Sequence, residues 1–235
     1  MVPFSCRGSL SASPKYLSAS QARILEIGCA TGEYLATLHN HGYQNLVGIE
    51  YNPDIAQMAR ERHGLEVIEG DIFAGAFPSQ TFDVVIMRYV LEHVPNPMST
   101  LREVHRLLKP GGWYIFSIPN PDSLDARVYG KYWFGHEIPR HLHNYPQETL
   151  KHMLAQTGLD LHKLEFPYIP NDWILGFKNL LIGHNAPRWL SNLLDIRNPL
   201  ALFMFLPLGL ISGLTRSSGR MRVKAQKIGI GAGIP

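Results

Sequence analysis

Cysteine is scarce: Cys6 and Cys29 are the only two in 235 residues. Two thiols make no disulfide framework, and Cys29 falls inside a glycine-rich turn, so a reducing cytoplasmic compartment fits best. Charge is thin as well, at 17% of residues, and 22 basic against 19 acidic residues leave a formal +3, too little to imply a polyanionic partner. Acid is absent beyond Asp195, where Arg197, Arg216, Arg220, Arg222, Lys224 and Lys227 carry every charge. Such an end suits anionic lipid or substrate, and equally an ordinary solvated surface. The first 20 residues hold six serines, two basic residues and no acid. They lack the apolar core of about 7 to 15 residues that a secretory signal needs, so residues 1–20 are expected to be a flexible arm, with a transit peptide the lesser reading. No internal repeat is present.

What is there is a globular composition, 45% hydrophobic, long enough for one domain with an embellishment over residues 21–235. Its central stretch is Arg23 to Leu38, RILEIGCATGEYLATL: an apolar run ending near Glu26, a turn of small residues at Gly28, Ala30 and Gly32, then a helical pattern. Small residues let backbone approach a ligand, and a helix start offers free N–H groups to a carboxylate or phosphate. Further strands are expected at 45–50, 65–71, 82–87 and 113–118, with helices at about 32–41, 53–63 and 98–108. Lys109 to Gly112 is expected to end the last of these helices and turn the chain. Five strands alternating with helices imply a parallel sheet covered on both faces, with ligands at the carboxyl ends, where Glu50 and Asp71 lie. A helix after Pro146 and strands at 159–168 and 219–228 complete the pattern.

Residues 171–218 differ in character, reading as an apolar helical insertion. Its uncharged run, Asn198 to Thr215, reaches the length at which a membrane span becomes conceivable, but Pro207, Gly209 and Gly213 interrupt it. A buried lid helix and an interfacial hairpin sampling a membrane through 198–214 are the better readings.

A glycine turn alone does not identify a ligand, yet a dinucleotide fingerprint needs glycine where Glu33 stands. The ordered set LEIGCATG, GIEYN, EGDI, FDVVIMRYVLEHVPNP and LREVHRLLKPGG resembles the class I S-adenosylmethionine-dependent methyltransferases over about 22–159. The segment YWFGHEIPRHLHNYPQETL is similar to a bacterial subgroup related to ubiquinone-type O-methyltransferases. The resemblance implies an α/β, three-layer, Rossmann-like sheet of seven strands, mostly parallel with an antiparallel last strand. It implies that Gly28, Ala30 and Gly32 receive the methionine part of S-adenosyl-L-methionine, with Glu26 either bracing the loop or touching the ligand. Glu50, followed by Tyr51, would hold both ribose hydroxyls, Asp71 the adenine amino group with Ile72 on the ring, and Arg88 and Tyr89 the amino acid end. The family usually has glycine at position 30, so Ala30 is expected to keep a negative φ.

Aligning a nucleophile with an activated methyl and excluding water is most of the chemistry, and a hydroxyl acceptor gains from a base near neutral pKa. His141 first and His136 second are the candidates, both directly after the fifth strand, with Tyr132 and Trp133 as an apolar wall. His93 reads as a local packing residue. Metal binding by His136, His141 and His143 lacks a further clear ligand, and no metal is expected. The acceptor is expected to be a small or lipid-linked molecule. The alternative is a non-catalytic, membrane-associated protein that binds S-adenosylmethionine. Nucleic acid is disfavoured, because no Asn-Pro-Pro-Tyr-like tetrad follows the fourth strand.

Overall fold

A computed structural model describes residues 21–228, so the expected arm at 1–20 lies outside the described residues. Seven strands, β1 (Arg23–Ile27), β2 (Asn45–Glu50), β3 (Glu66–Glu69), β4 (Phe82–Arg88), β5 (Leu108–Pro119), β6 (Leu159–Glu165) and β7 (Arg220–Lys227), form one sheet in the order β3-β2-β1-β4-β5-β7-β6. β7 runs antiparallel to both β5 and β6, and the other pairings are parallel. This is the α/β, mostly parallel seven-stranded architecture expected from the sequence.

Two of the helices flanking the sheet start on an Asn-Pro cap. In α2 (Pro53–His63) the Asn52 side chain accepts from the Asp54 and Ile55 N–H groups, and Gly64, at φ 64°, closes the other end. Asn96 caps α3 (Pro97–Leu107) in the same way, again with proline at the first position. Each such cap is worth about 1 kcal/mol. α1 (Glu33–Asn40), α4 (Leu124–Tyr129) and α5 (Gln147–Gln156) complete the flanking set. Residues alternate along each strand between two cores: Leu25, Val47 and Val85 pack with α3 and α5, whereas Ile24, Leu46 and Val84 pack with α1 and α2.

Two expectations shift. Lys109 to Gly112 do not separate helix from strand, because β5 already pairs at Leu108 with Phe82. The register then slips to Val84 opposite Trp113, so the four residues form a bulge, with Gly111 at φ 74°. The sixth strand stops at Glu165, ahead of Pro167 and Pro170, which cannot donate to a ladder.

Residues 171–218 hold α6 (Asn171–Gly183), α7 (Arg188–Leu193) and α8 (Pro199–Leu214). They share a third core in which Trp173, Ile174 and Phe205 meet Tyr129 and Trp133. Trp133 is therefore part of that core, its indole N–H on Asp125 at 2.8 Å, and not an open wall. No helix of the described residues is long and apolar enough to cross a membrane.

Candidate functional site

Parallel pairing brings the carboxyl ends of β1, β2 and β4 to one edge. Glu26 of β1 stands beside Ile86 of β4, and the turn after β1 is tied to β2 by the Gly28 and Cys29 N–H groups on the Ile49 carbonyl, at 2.8 and 3.0 Å. Gly28 has φ 69°, and a Cβ there would lie 2.4 Å from Val90 Cγ2. Gly32 has φ 78°, and its Cβ would lie 2.7 Å from Leu65 Cδ1. Glycine is required at both positions by space and by φ.

Ala30 departs from expectation, with φ 49° and not a negative value. Its N–H donates to Glu50 Oε2 at 2.9 Å, and turning the residue to negative φ would move that donor. The left-handed conformation costs about 1 kcal/mol or more. Glu50 Oε1 accepts from the Asn52 N–H at 3.0 Å, so both oxygens are oriented by backbone while each keeps a second lone pair. Tyr51 is exposed. Asp71 is exposed too and uses Oδ1 to accept from the Phe73 N–H at 3.0 Å, a local turn that leaves Oδ2 without a partner. Ile72 is buried in the main core.

Glu26 is fully buried and accepts from Arg88 Nε at 2.9 Å, while its Oε2 has no partner. Burial raises its pKa to about 7, against the lowering pull of Arg88. Arg88 also lies 4.1 Å over the Tyr34 ring, so it braces the loop. Burial, with Glu26 and Glu50 adding to it, pushes the Cys29 thiol up to about 12, which leaves it inert as a nucleophile. Tyr89 leaves β4 with φ 56°, its N–H on the Ser117 carbonyl and its ring under the Arg220 guanidinium at 5.4 Å. Two strained non-glycine residues, Ala30 and Tyr89, thus occupy the same edge.

His141 and His136 part company. His136 packs on Trp133, with ring centroids 5.3 Å apart, and stays outside the polar cluster. His141 stacks edgewise on His93 at 4.8 Å. Glu92, His93 and His141 bring ligand atoms within 4.8 Å of one another. His141 Nδ1 meets the Gly135 carbonyl at 2.7 Å and His93 Nδ1 the Arg140 carbonyl at 2.7 Å. A carbonyl on Nδ1 fixes that nitrogen as the donor, and His141 Nε2 lies 3.4 Å from Glu137 Oε2. Glu92 is buried with neither oxygen partnered, and burial raises its pKa to about 8. Such a set can relay a proton, and its donors could also hold a divalent cation. Of His136, His141 and His143 only His141 joins this cluster, and its partners Glu92 and His93 come from some 48 residues away. Sequence alone marks His93 as a local packing residue and does not single out Glu92, although LEHVP holds both.

A family model for the methyltransferase domain matches residues 6–164. The chain is 33% identical over 163 residues to a ubiquinone biosynthesis O-methyltransferase of Ruegeria pomeroyi, covering 64% of this chain and 65% of that one. It is 34% identical over 157 residues to the enzyme of the same name from Bordetella pertussis, covering 61% and 64%. Each match spans a little under two thirds of the relative. Among solved structures, an S-adenosylmethionine-dependent methyltransferase from Archaeoglobus fulgidus superposes with TM-score 0.62 at 19% identity, over 94% of this chain and 91% of that one. A geranyl diphosphate C-methyltransferase from Streptomyces coelicolor, solved with S-adenosyl-L-homocysteine, gives 0.59 at 15% identity over 89% and 70%. These two share the fold. The glycine turn, the acid closing β2 and the LEHVP segment all fall within the matched residues, and with well over half its length covered the chain belongs to the methyltransferase-domain family.

Proposed function

We propose that the protein is an S-adenosylmethionine-dependent methyltransferase that methylates an oxygen of a small or lipid-linked acceptor by direct in-line transfer. The observation that carries this reading is the pairing, on one sheet edge, of a pinned glycine turn with a buried acid and two histidines whose Nδ1 atoms are held by backbone carbonyls, His141 Nε2 lying 3.4 Å from Glu137 Oε2. The residues present fit the cofactor. Gly28 and Gly32 hold the turn in a positive-φ shape with no room for a side chain, Glu50 keeps a lone pair on each oxygen for the two ribose hydroxyls, and the unpartnered Glu26 Oε2 suits an ammonium. Asp71 Oδ2 is left for the adenine amino group, and Arg88 and Tyr89 border the amino acid end.

S-adenosylmethionine, when bound, supplies a methyl already activated on a sulfonium. The protein then has to orient the acceptor and take its proton. His141 is the base: Nε2 accepts the hydroxyl proton while Nδ1 stays on the Gly135 carbonyl. Burial favours the protonated form of Glu92, which would donate a hydrogen bond to the acceptor oxygen. His93 packs on His141 and holds its orientation. His136 is the second choice, with its ring fixed on Trp133. We place the enzyme in the cytoplasm, peripheral to the inner face of a membrane, with residues 21–235 as a single methyltransferase domain.

Calorimetric titration with S-adenosylmethionine followed by transfer of tritiated methyl into lipid and aqueous cell fractions tests the reading. Labelled product is expected, and His141→Ala should lower kcat by about 10²- to 10⁴-fold with cofactor affinity unchanged. Normal turnover in a His136→Ala/His141→Ala double variant would overturn the base assignment. Absence of cofactor binding would overturn the whole proposal.

A further inference from the structure

The helices α6, α7 and α8 lie beyond residue 164, where the family match ends. α8 is apolar on every side, a pattern that belongs to a helix covered all round. Only one side is covered. Ala201, Phe205, Gly209 and Ser212 face the protein, Ser212 Oγ accepting from Trp173 Nε1 at 2.9 Å. The opposite stripe, Leu200, Phe203, Met204, Leu210, Ile211 and Leu214, recurs at helical spacing and is exposed, Phe203 to 76%. Trp189 of α7 is also exposed, to 65%.

Charge decides what covers it. Exposed Arg197 precedes the helix and exposed Arg216 follows it, and neither makes an ion pair among the described residues. Lys178 and Arg188 line a recess between α6 and α7, and Asp195 is the one acid in the segment 173–218. An apolar stripe with cations at both ends fits an anionic lipid surface, where the rings and aliphatic groups enter the acyl boundary and the guanidinium groups stay among the headgroups. A second copy fits worse. Stripes packed parallel set each arginine against its own counterpart, and stripes packed antiparallel set Arg197 against Arg216. Sixteen residues span about 24 Å, short of the roughly 30 Å hydrocarbon layer, and one face is already committed to protein. The helix therefore lies in the plane of the membrane.

We infer that the outward face of α8, with the flanking Arg197 and Arg216, is a docking surface for an anionic bilayer. Its position gives the docking a purpose. β7 starts at Arg220, paired with Pro119 at the carboxyl end of β5, so α8 ends six residues from the edge that carries the site. The Asp172–Arg220 ion pair, at 2.6 Å, joins the first turn of α6 to that edge, and Arg220 in turn lies over the Tyr89 ring. Docked through α8, the protein would present this edge beside the lipid, where an acceptor with a membrane-resident tail is reached without leaving the bilayer. This orientation rests on the methyltransferase reading of the edge, whereas the docking itself does not.

Sedimentation of the full chain with vesicles of phosphatidylcholine containing 30 mol% phosphatidylglycerol, compared with phosphatidylcholine alone, tests the inference, with calorimetric S-adenosylmethionine binding run on every variant. Partition is expected on the anionic vesicles and to fall as salt rises. Arg197→Gln/Arg216→Gln should weaken it by about 25-fold, from roughly fivefold per cation. Phe203→Ser/Met204→Ser should remove it. All four side chains are exposed, so cofactor binding should be retained and report that the variants are folded. Equal partition onto neutral vesicles, no partition at all, or a concentration-dependent dimer that the Phe203→Ser/Met204→Ser variant abolishes would each overturn the proposal. A wild type that docks yet binds no S-adenosylmethionine would keep the docking surface and sink the enzymatic reading.

Discussion

The two halves of the carboxyl edge are built by opposite means. On the β1–β2 side, Glu50 is fixed by two backbone N–H groups and the glycine turn by the Ile49 carbonyl, all within about 25 residues of sequence. On the side beyond β4, Glu92, His93 and His141 meet across 48 residues, and more buried atoms stay unpartnered, both Glu92 oxygens, Asp125 Oδ1 and His143 Nε2, against Glu26 Oε2 beside the glycine turn. Buried polar groups without partners are costly, so they persist where a ligand or reaction supplies the missing contact. The first half is preorganised for a ligand of fixed shape. The second holds polar capacity in reserve for an acceptor.

The largest expected effect breaks the first half alone. Gly28→Ala introduces a Cβ 2.4 Å from Val90 Cγ2 at a φ of 69°, in the loop whose backbone would approach the cofactor. Titration calorimetry should show S-adenosylmethionine affinity lowered on the order of 100-fold, about 2.7 kcal/mol. His141→Ala should leave that affinity within about twofold. Equal losses in the two variants would erase the distinction between the halves.

That distinction also governs how much the sequence disclosed. The turn and its acids are local: Glu26, Gly28 and Gly32 are adjacent in the chain, and the acid at 50 ends a recognisable strand. Strand alternation and the Asn-Pro helix starts made the sheet readable for the same reason. His141 with His93 was not readable, because that pairing is created by the docking of the 130–145 segment onto the short turn Leu91–His93, through the Leu142 and His143 N–H groups on the Glu92 carbonyl. The Asp172–Arg220 pair joins residues 48 apart through the antiparallel last strand, and no periodicity encodes it. Ala30 was misjudged because φ there answers to a hydrogen bond with Glu50, which lies on another strand.

A smaller effect tests the reserve of buried acid. Burial raises Glu26 to about 7 and Glu92 to about 8, and burial together with Asp172 raises Asp125 to about 6. Each carboxyl binds its proton more tightly in the folded chain than in the unfolded one. Its contribution to stability is therefore full below its unfolded value near 4 and is lost as pH rises through about 6 to 8. The melting temperature of the ligand-free protein should drop by roughly 5 °C between pH 5.5 and 8.5. Glu26→Gln should flatten the lower part of that slope. A melting temperature that stays level or climbs over this range would show that the acids are solvated or paired in solution.

The smallest effect lies within the preorganised half and asks whether its one strained residue matters. Ala30→Gly keeps the N–H that binds Glu50 and removes a Cβ from a left-handed conformation. Relief of that strain, about 1 kcal/mol or more, is partly offset by the greater freedom of glycine in the unfolded chain. A net gain of about 0.5 kcal/mol should raise the melting temperature by roughly 1–2 °C for a chain of this length. Cofactor affinity should change less than twofold, because the donor and its carboxylate keep their places. A stabilised variant with much weaker binding would mean that Ala30 holds the loop in its binding shape through the strain itself, and the half of the edge nearest the cofactor would then be tuned as well as preformed.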